Sequence, residues 1–229
     1  MPITLTGTGT ITGISAGGLP DGSIAKADLS ATGTADATTF LRGDNTWAAA
    51  GGGATALIAR NTFTNASTIA ITSGFDSSLY DTYLLLLTCT SIGGSGWSSI
   101  GIRTSSNGGS SFDSGGSDYT YAGQVSNANT GYGVNNIASM SAHNFAITNT
   151  NGDPRGFCLA YTLFRPDDTT SNTRMMAETM FYSSSYSGVA RVYCGGERLS
   201  NGAVNAFHIF QHGSMTFNGT YQFIGYKKT

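Results

Sequence analysis

The sequence predicts an all-β protein: an antiparallel β-sandwich head, jelly-roll-like in type, preceded by an extended Gly/Thr-rich N-terminal arm. The first observation behind this prediction is that only 10% of the 229 residues are charged, against about 25% in a typical soluble domain. Few strong helix formers are therefore available for surface helices. The second observation is the content of 2 Trp, 11 Tyr and 12 Phe, which supplies enough apolar area for a core.

Residues 1–53 are predicted to be the arm. Only two aromatic residues, Phe40 and Trp47, occur in this stretch, where small polar residues alternate with β-branched ones. So little apolar surface cannot offset the conformational entropy that the chain would lose on folding by itself. We therefore expect the arm to lie extended on a partner, and disorder is the alternative.

Residues 54–229 are predicted to be the head, because strand-like runs alternate there with turn residues. Ten candidate strands follow from this pattern: 67–72, 81–90, 97–106, 118–125, 135–148, 156–165, 174–184, 188–199, 204–212 and 219–228. Many short strands joined by irregular loops are typical of a β-sandwich, and a jelly-roll is the version expected at this length.

Several short stretches predict local features of the head. The run 84–87 is apolar without alternation, which predicts a strand covered on both faces. The pair Gly195-Gly196 predicts a bulge or a tight turn, and the pair Asn107-Gly108 predicts a β-hairpin turn. The only helix candidate is a short piece at 77–81.

Composition argues against several classes of function. The net charge of -2 and the pI near 5.8 argue against a nucleic-acid partner, which requires a basic surface. The chain shows neither a signal peptide nor an apolar run long enough to cross a bilayer, so we expect no membrane insertion. Cys89, Cys158 and Cys194 lie far apart and are predicted to be buried free thiols of a protein made in a reducing cytoplasm.

The residue patterns predict no catalytic site, no cofactor and no bound metal. His208 and His212 lie four residues apart in a strand pattern, which separates them by roughly 13 Å, too far to share one metal ion. The adjacent carboxylates Asp167 and Asp168 fall in a loop, and no pattern indicates the carboxylate pair of a glycosidase. We therefore expect that the protein is not an enzyme, and a glycan-active enzyme is the least favoured class.

The tripeptide Arg42-Gly43-Asp44 matches a known adhesion signal. Three-residue matches arise by chance, and Gly43, Asp44 and Asn45 are all turn-forming residues. We therefore interpret the stretch as the joint between the arm and the head, with Arg42, Asp44 and Trp47 as its candidate residues.

Two segments resemble bacteriophage virion proteins. The segment TADATTFLRGDNTWA (34–48) resembles a stretch of tail-fibre and other virion proteins in which a threonine-rich repeat ends in a Leu-Arg-Gly-Asp-X-Thr-Trp element before a compact distal domain. The segments 75–87 and 100–122 are similar to a β-rich domain of phage and prophage proteins. The residues at the places of that motif are Tyr80, Tyr83, Arg103, Ser105, Gly108, Gly109 and Phe112. Asn107 stands where related hairpins have Asp, which argues against calcium binding there.

The resemblance implies a structural protein on the outer surface of the virion, made in the bacterial cytoplasm and assembled as a homotrimer. It leaves two roles open. One is a capsid cement (decoration) protein whose arm clamps neighbouring capsomers of the major capsid protein. The other is the receptor-binding distal domain of a tail fibre or tailspike, held by tail proteins. The absence of repeated shaft units favours the cement role.

Either role allows contact with a host-surface glycan. Aromatic rings in loops are suited to stacking on sugars, with Ser and Asn hydroxyl and amide groups nearby for hydrogen bonds. The candidate contact residues are Trp97, Tyr119, Tyr121 and Tyr132.

Overall fold

The computed structural model describes residues 31–37, 39–49, 53–93, 100–127, 131–145, 155–183, 188–211 and 213–228. These residues form strands, turns and loops without a helix, and the strands within each sheet are antiparallel. The predicted all-β class is confirmed. The chain divides into two compact units, Met1–Gly52 and Gly53–Thr229, and the second unit is referred to below as the head.

The described strands form three sheets. In chain order they are β1 (Thr39–Leu41), β2 (Trp47–Ala49), β3 (Thr55–Ala66), β4 (Thr68–Ile71), β5 (Tyr80–Gly93), β6 (Ile100–Ser105), β7 (Tyr119–Asn127), β8 (Gly131–Met140), β9 (His143–Phe145), β10 (Phe157–Phe164), β11 (Arg174–Ser183), β12 (Gly188–Arg198), β13 (Ala206–Gln211) and β14 (Thr216–Lys227). The first unit holds β1 and β2. In the head, the large sheet has the order β3-β14-β5-β10-β11-β12-β7-β8 and the small sheet the order β4-β13-β6-β9. The sandwich is therefore unequal and larger than the eight strands of a simple jelly-roll.

Aromatic rings join the two sheets of the head. Phe207 of β13 packs against Tyr161 of β10 and Phe223 of β14, with ring centroids 5.9 and 5.8 Å apart. Phe223 also stacks on Tyr83 at 5.3 Å. All four side chains are at most 1% exposed, and burial of each contributes about 1.5–3 kcal/mol to folding. This shared core makes the two sheets one sandwich.

Strand alternation explains why the core lies on one side of the large sheet. In β10, Phe157, Leu159, Tyr161 and Leu163 are all buried, and each is followed by a more exposed residue. Successive side chains of a strand point to opposite faces, so alternate apolar residues face the core. The predicted strand 156–165 is confirmed on this pattern.

The prediction that 84–87 is covered on both faces is wrong. Leu85 and Leu87 are buried in the core, whereas Leu86 is 39% exposed on the opposite side of the sheet. The run lacks polar alternation because the outer side of the sheet is itself apolar at Leu84 and Leu86. The predicted bulge at Gly195-Gly196 is also wrong, since β12 continues through both glycines with regular pairing to β11.

Three connections differ from their predictions. The stretch 77–81, predicted as a short helix, is a turn followed by the start of β5. The Asp76 carboxylate stabilises this turn by accepting hydrogen bonds from the Ser78 amide and hydroxyl. After Asn107-Gly108 the chain passes from the small sheet to the large sheet, because β6 and β7 belong to different sheets. The predicted β-hairpin between them is therefore not formed. The predicted strand 135–148 divides into β8 and β9, again in different sheets.

The strand β3 has no counterpart among the predicted strands. It lies at the edge of the large sheet, where it pairs with β14. Its polar residues Arg60, Asn61 and Asn65 interrupt the apolar pattern, because an edge strand with a solvated face needs few apolar positions.

Candidate functional site

The Arg-Gly-Asp tripeptide forms the turn of a small hairpin in the first unit. The Arg42 amide donates to the Thr46 carbonyl at 2.8 Å, and the Asn45 amide donates to the Arg42 carbonyl at 3.0 Å. Asp44 accepts from the Thr46 hydroxyl at 2.6 Å and forms an exposed ion pair with Arg42 at 3.5 Å. The turn chemistry predicted for this stretch is confirmed.

Trp47 begins the second strand of that hairpin and is held by an earlier segment. Its amide donates to the Thr32 carbonyl at 2.7 Å, while the Thr32 amide donates to the Asn45 carbonyl at 3.1 Å. Gly33 has a φ of 91°, and a Cβ added there would lie 2.5 Å from the Trp47 carbonyl oxygen. Residues 39–49 are thus a closed hairpin, which differs from the extended arm that was predicted. Residues 1–30 lie outside the described residues.

The prediction that Tyr119 lies in an exposed loop is wrong. Tyr119 is the first residue of β7, its side chain is 0% exposed, and burial raises its pKa to about 12. Its hydroxyl accepts from the Thr104 amide at 2.8 Å and lies 2.9 Å from the Thr104 hydroxyl. A ring enclosed in this way cannot stack on a sugar outside the fold.

Two of the other predicted contact residues, Tyr121 and Tyr132, lie in strands rather than in loops. Tyr121 lies within β7 on the same side of the sheet as the buried Cys194, and burial raises its pKa. Tyr132 lies in β8 opposite Ser126. The side chain of Tyr132 and the whole of Trp97 fall outside the described residues.

Several exposed large apolar side chains lie on the large sheet, on the side turned away from the core. We call the exposed side of β14, β5, β10, β11, β12 and β7 the outer face. Register places one residue from each of these strands in a row across it: Ile224, Leu84, Thr162, Met176, Gly195 and Ala122. Six of its large apolar side chains are between 37% and 53% exposed: Leu86, Phe164, Met180, Val189, Tyr193 and Tyr226.

A groove of about 630 Å³ runs along the outer face above β12. Gly195 forms part of its floor, and a Cβ added there would meet only the Met175 carbonyl, at 3.8 Å. Phe164, Arg174 and Glu197 also line this groove. A second groove of about 480 Å³ lies over β5, β10 and β11, bordered by Leu86 and Met180.

The charges of the outer face balance. Arg191 forms an ion pair with Glu178 at 2.8 Å, and Arg174 lies opposite Glu197 in the register of β11 and β12. The other outer positions of the six strands carry uncharged side chains. The face is therefore formally neutral, and its uncharged positions hold exposed apolar side chains together with polar ones such as Thr120, Gln124 and Ser126.

The thiol Cys158 is part of this surface. Cys158 lies on β10, opposite Met180 of β11, and is exposed. The prediction that all three cysteines are buried is therefore wrong for Cys158. Cys89 and Cys194 are buried, and burial raises their pKa values to about 11 and about 12. Alternation explains the difference, because Cys158 occupies an outward position between Phe157 and Leu159.

On the core side of the large sheet, a buried charged network connects the two sheets of the head. The Arg198 side chain is 3% exposed, and its Nε donates to Asp113 Oδ2 at 2.7 Å. Asp113 Oδ2 also accepts from the Thr104 hydroxyl at 2.9 Å. Arg198 further donates to the Gly202 carbonyl. β12, β6 and the loop between β6 and β7 are thereby fixed to one another.

His208 is a packing residue. Its ring stacks on Phe112 with centroids 3.9 Å apart, and burial together with the nearby Arg103 lowers its pKa to about 4. His212 lies outside the described residues. Within the described ranges, His, Cys, Asp and Glu side chains form no group of three or more that could hold a metal ion.

No helix in the described part of the chain has the length and apolarity needed to cross a membrane. Comparisons with known protein families, with curated proteins and with solved structures find no match to this chain.

Proposed function

We propose that this protein is a structural component of a bacteriophage virion, a homotrimeric β-sandwich cement protein on the outer surface of the capsid. The observation that carries the proposal is the outer face of the head. Clusters of exposed apolar side chains mark sites where proteins associate. The resemblance of residues 34–48 and 100–122 to virion proteins supplies the context for that association.

In this proposal the two units have different tasks. The head lies on the shell, and the first unit contacts neighbouring capsomers of the major capsid protein. The Arg42–Asp44 hairpin is the joint that precedes the head. The protein is made in the host cytoplasm and acts without catalysis or a cofactor.

A receptor-binding role at the tip of a tail fibre is the second candidate. It is favoured by the groove in which Phe164 stands beside Arg174 and Glu197. An aromatic ring with adjacent planar polar groups can stack on a sugar ring and accept or donate hydrogen bonds to its hydroxyls. The groove, whose lining includes the predicted Tyr121, is thus the candidate glycan site.

The copy number of the protein in purified virions separates the two roles. We expect quantitative mass spectrometry to give an abundance comparable to that of the major capsid protein. A few trimers per particle would contradict the cement role and support the tail role. Absence from purified particles would contradict both.

A further inference from the structure

We propose that the outer face binds a second copy of this chain, packed face to face about a two-fold axis that runs parallel to the strands between β11 and β12. The inference rests on the assembly role in the proposed function and names the surface that carries it. This contact is separate from the three-fold contact that the resemblance implies, and it joins protomers of two different trimers.

The axis sets the size of the contact. Rotation about it exchanges β11 with β12 and β10 with β7, so the outer faces of the two copies overlap over these four strands. Four strands about 4.8 Å apart span roughly 14 Å, and a ten-residue strand such as β11 spans roughly 34 Å. The product is about 500 Å² for each partner, the size of a weak or transient protein interface.

The charges of the outer face are complementary to those of a second copy. Arg174 and Glu178 lie on β11, whereas Glu197 and Arg191 lie beside them on β12. A two-fold rotation about an axis between these strands exchanges β11 and β12. Arg174 of one copy then lies over Glu197 of the other, and Glu178 comes near Arg191. Four charges that balance within one copy are thus paired again across the interface.

The relief of the outer face follows the same symmetry. Met176 on β11 lies in register with Gly195 on β12, so the rotation places the Met176 side chain of one copy over the glycine floor of the other. Thr162 on β10 likewise comes over Ala122 on β7. In this row, the longer side chains of β10 and β11 therefore meet the shorter side chains of β12 and β7. A surface that is its own complement is what a two-fold interface requires.

Cys158 reports directly on whether the outer face is covered. In the full chain, we expect the rate of alkylation of Cys158 by a maleimide to fall as protein concentration rises from nanomolar to micromolar. Cys89 and Cys194 are buried and stay unlabelled in the folded protein, and a Cys158→Ser variant identifies the signal. Fast labelling at every concentration would overturn the inference, because the face would be open. Slow labelling at every concentration would also overturn it, because a segment of the same chain would then cover the face.

A substitution at Gly195 tests the inferred geometry without disturbing the fold. Gly195→Gln has room for its side chain and fills the floor on which Met176 of the second copy rests. We expect it to weaken self-association by about tenfold or more in sedimentation equilibrium, as for a truncated or blocked interface centre. The matched control is Gly116→Gln, in the loop before β7, where nothing lies within 4 Å of an added Cβ. The inference would be contradicted if both variants self-associated as strongly as the wild type.

A charge exchange tests the axis. Glu197→Arg places two arginines over one another and should weaken association by a similar factor, whereas Arg174→Glu combined with Glu197→Arg should restore it. Failure of the double variant to recover would contradict the placement between β11 and β12. These readouts use the isolated protein, so the inference can fail while the copy number in virions still supports the cement role, and the reverse can also occur.

Discussion

The buried contact between Arg198 and Asp113 should contribute strongly to the stability of the head. Replacing Arg198 with Met retains an unbranched apolar stem but removes the guanidinium that Asp113 Oδ2 accepts from at 2.7 Å. Removal of one partner of a buried ion pair typically costs about 3–5 kcal/mol, because the remaining charge stays desolvated. Asp113 is 26% exposed and keeps some hydration, so the expected cost is near the lower end, about 3 kcal/mol.

Equilibrium unfolding in urea measures this cost, and a thermal scan should show a Tm lower by about 6–12 °C for a domain of this size. Lys228→Met is the control, since the Lys228–Asp167 pair at 3.1 Å is partly exposed and such pairs contribute about 1 kcal/mol or less. Adding Asp113→Asn to Arg198→Met should recover part of the loss. If Arg198→Met unfolds within 1 kcal/mol of the wild type, roughly the error of such measurements, the reasoning from burial is refuted.

Three further predictions concern single groups and the first unit. His208 has a pKa of about 4 in the fold against an ordinary value near 6.5, so the unfolded chain binds the proton first as the pH falls. Stability should hold above pH 6.5 and decrease by up to about 3 kcal/mol towards pH 4, and urea titrations of the wild type and of His208→Phe should differ by that slope. Tyr119→Phe leaves the Thr104 amide without its acceptor and should cost about 1–3 kcal/mol in the same assay; an unchanged midpoint would contradict the role of the hydroxyl. Deletion of residues 1–52 should leave the near-ultraviolet circular dichroism of the head intact and abolish its attachment to particles; undiminished attachment would contradict a clamping first unit.

Most of the fold prediction rests on the alternation of apolar and polar residues along the chain. The strand β10 was predictable because polar or small residues separate its buried apolar ones, and glycine or proline marks its ends. The central strand β5 was located but its surroundings were misjudged, since Leu84 and Leu86 make an outward side look like a core side. Sequence pattern alone cannot distinguish an apolar residue in a core from one on an exposed face.

The outer face and the Arg198 network depend on pairing between distant segments. Asp113 and Arg198 are 85 residues apart, and neither residue stands in a pattern that predicts the other. Met176 and Gly195 become neighbours only through the register of β11 and β12. The prediction for Tyr119 was wrong for the same reason, because whether its side chain points inward depends on which strands flank β7.

The position of β14 has a consequence for biosynthesis. This strand is the last in the described chain, yet it lies inside the large sheet between β3 and β5, and it pairs Tyr221 with both Asn61 and Leu87. The edge strand β3 therefore has no strand to pair with in the large sheet until translation has passed residue 227, many seconds after β3 has left the ribosome at ~5–20 residues per second. Chains that terminate early lack the strand that links β3 to the rest, so they should remain unfolded and be degraded rather than accumulate as partly built heads.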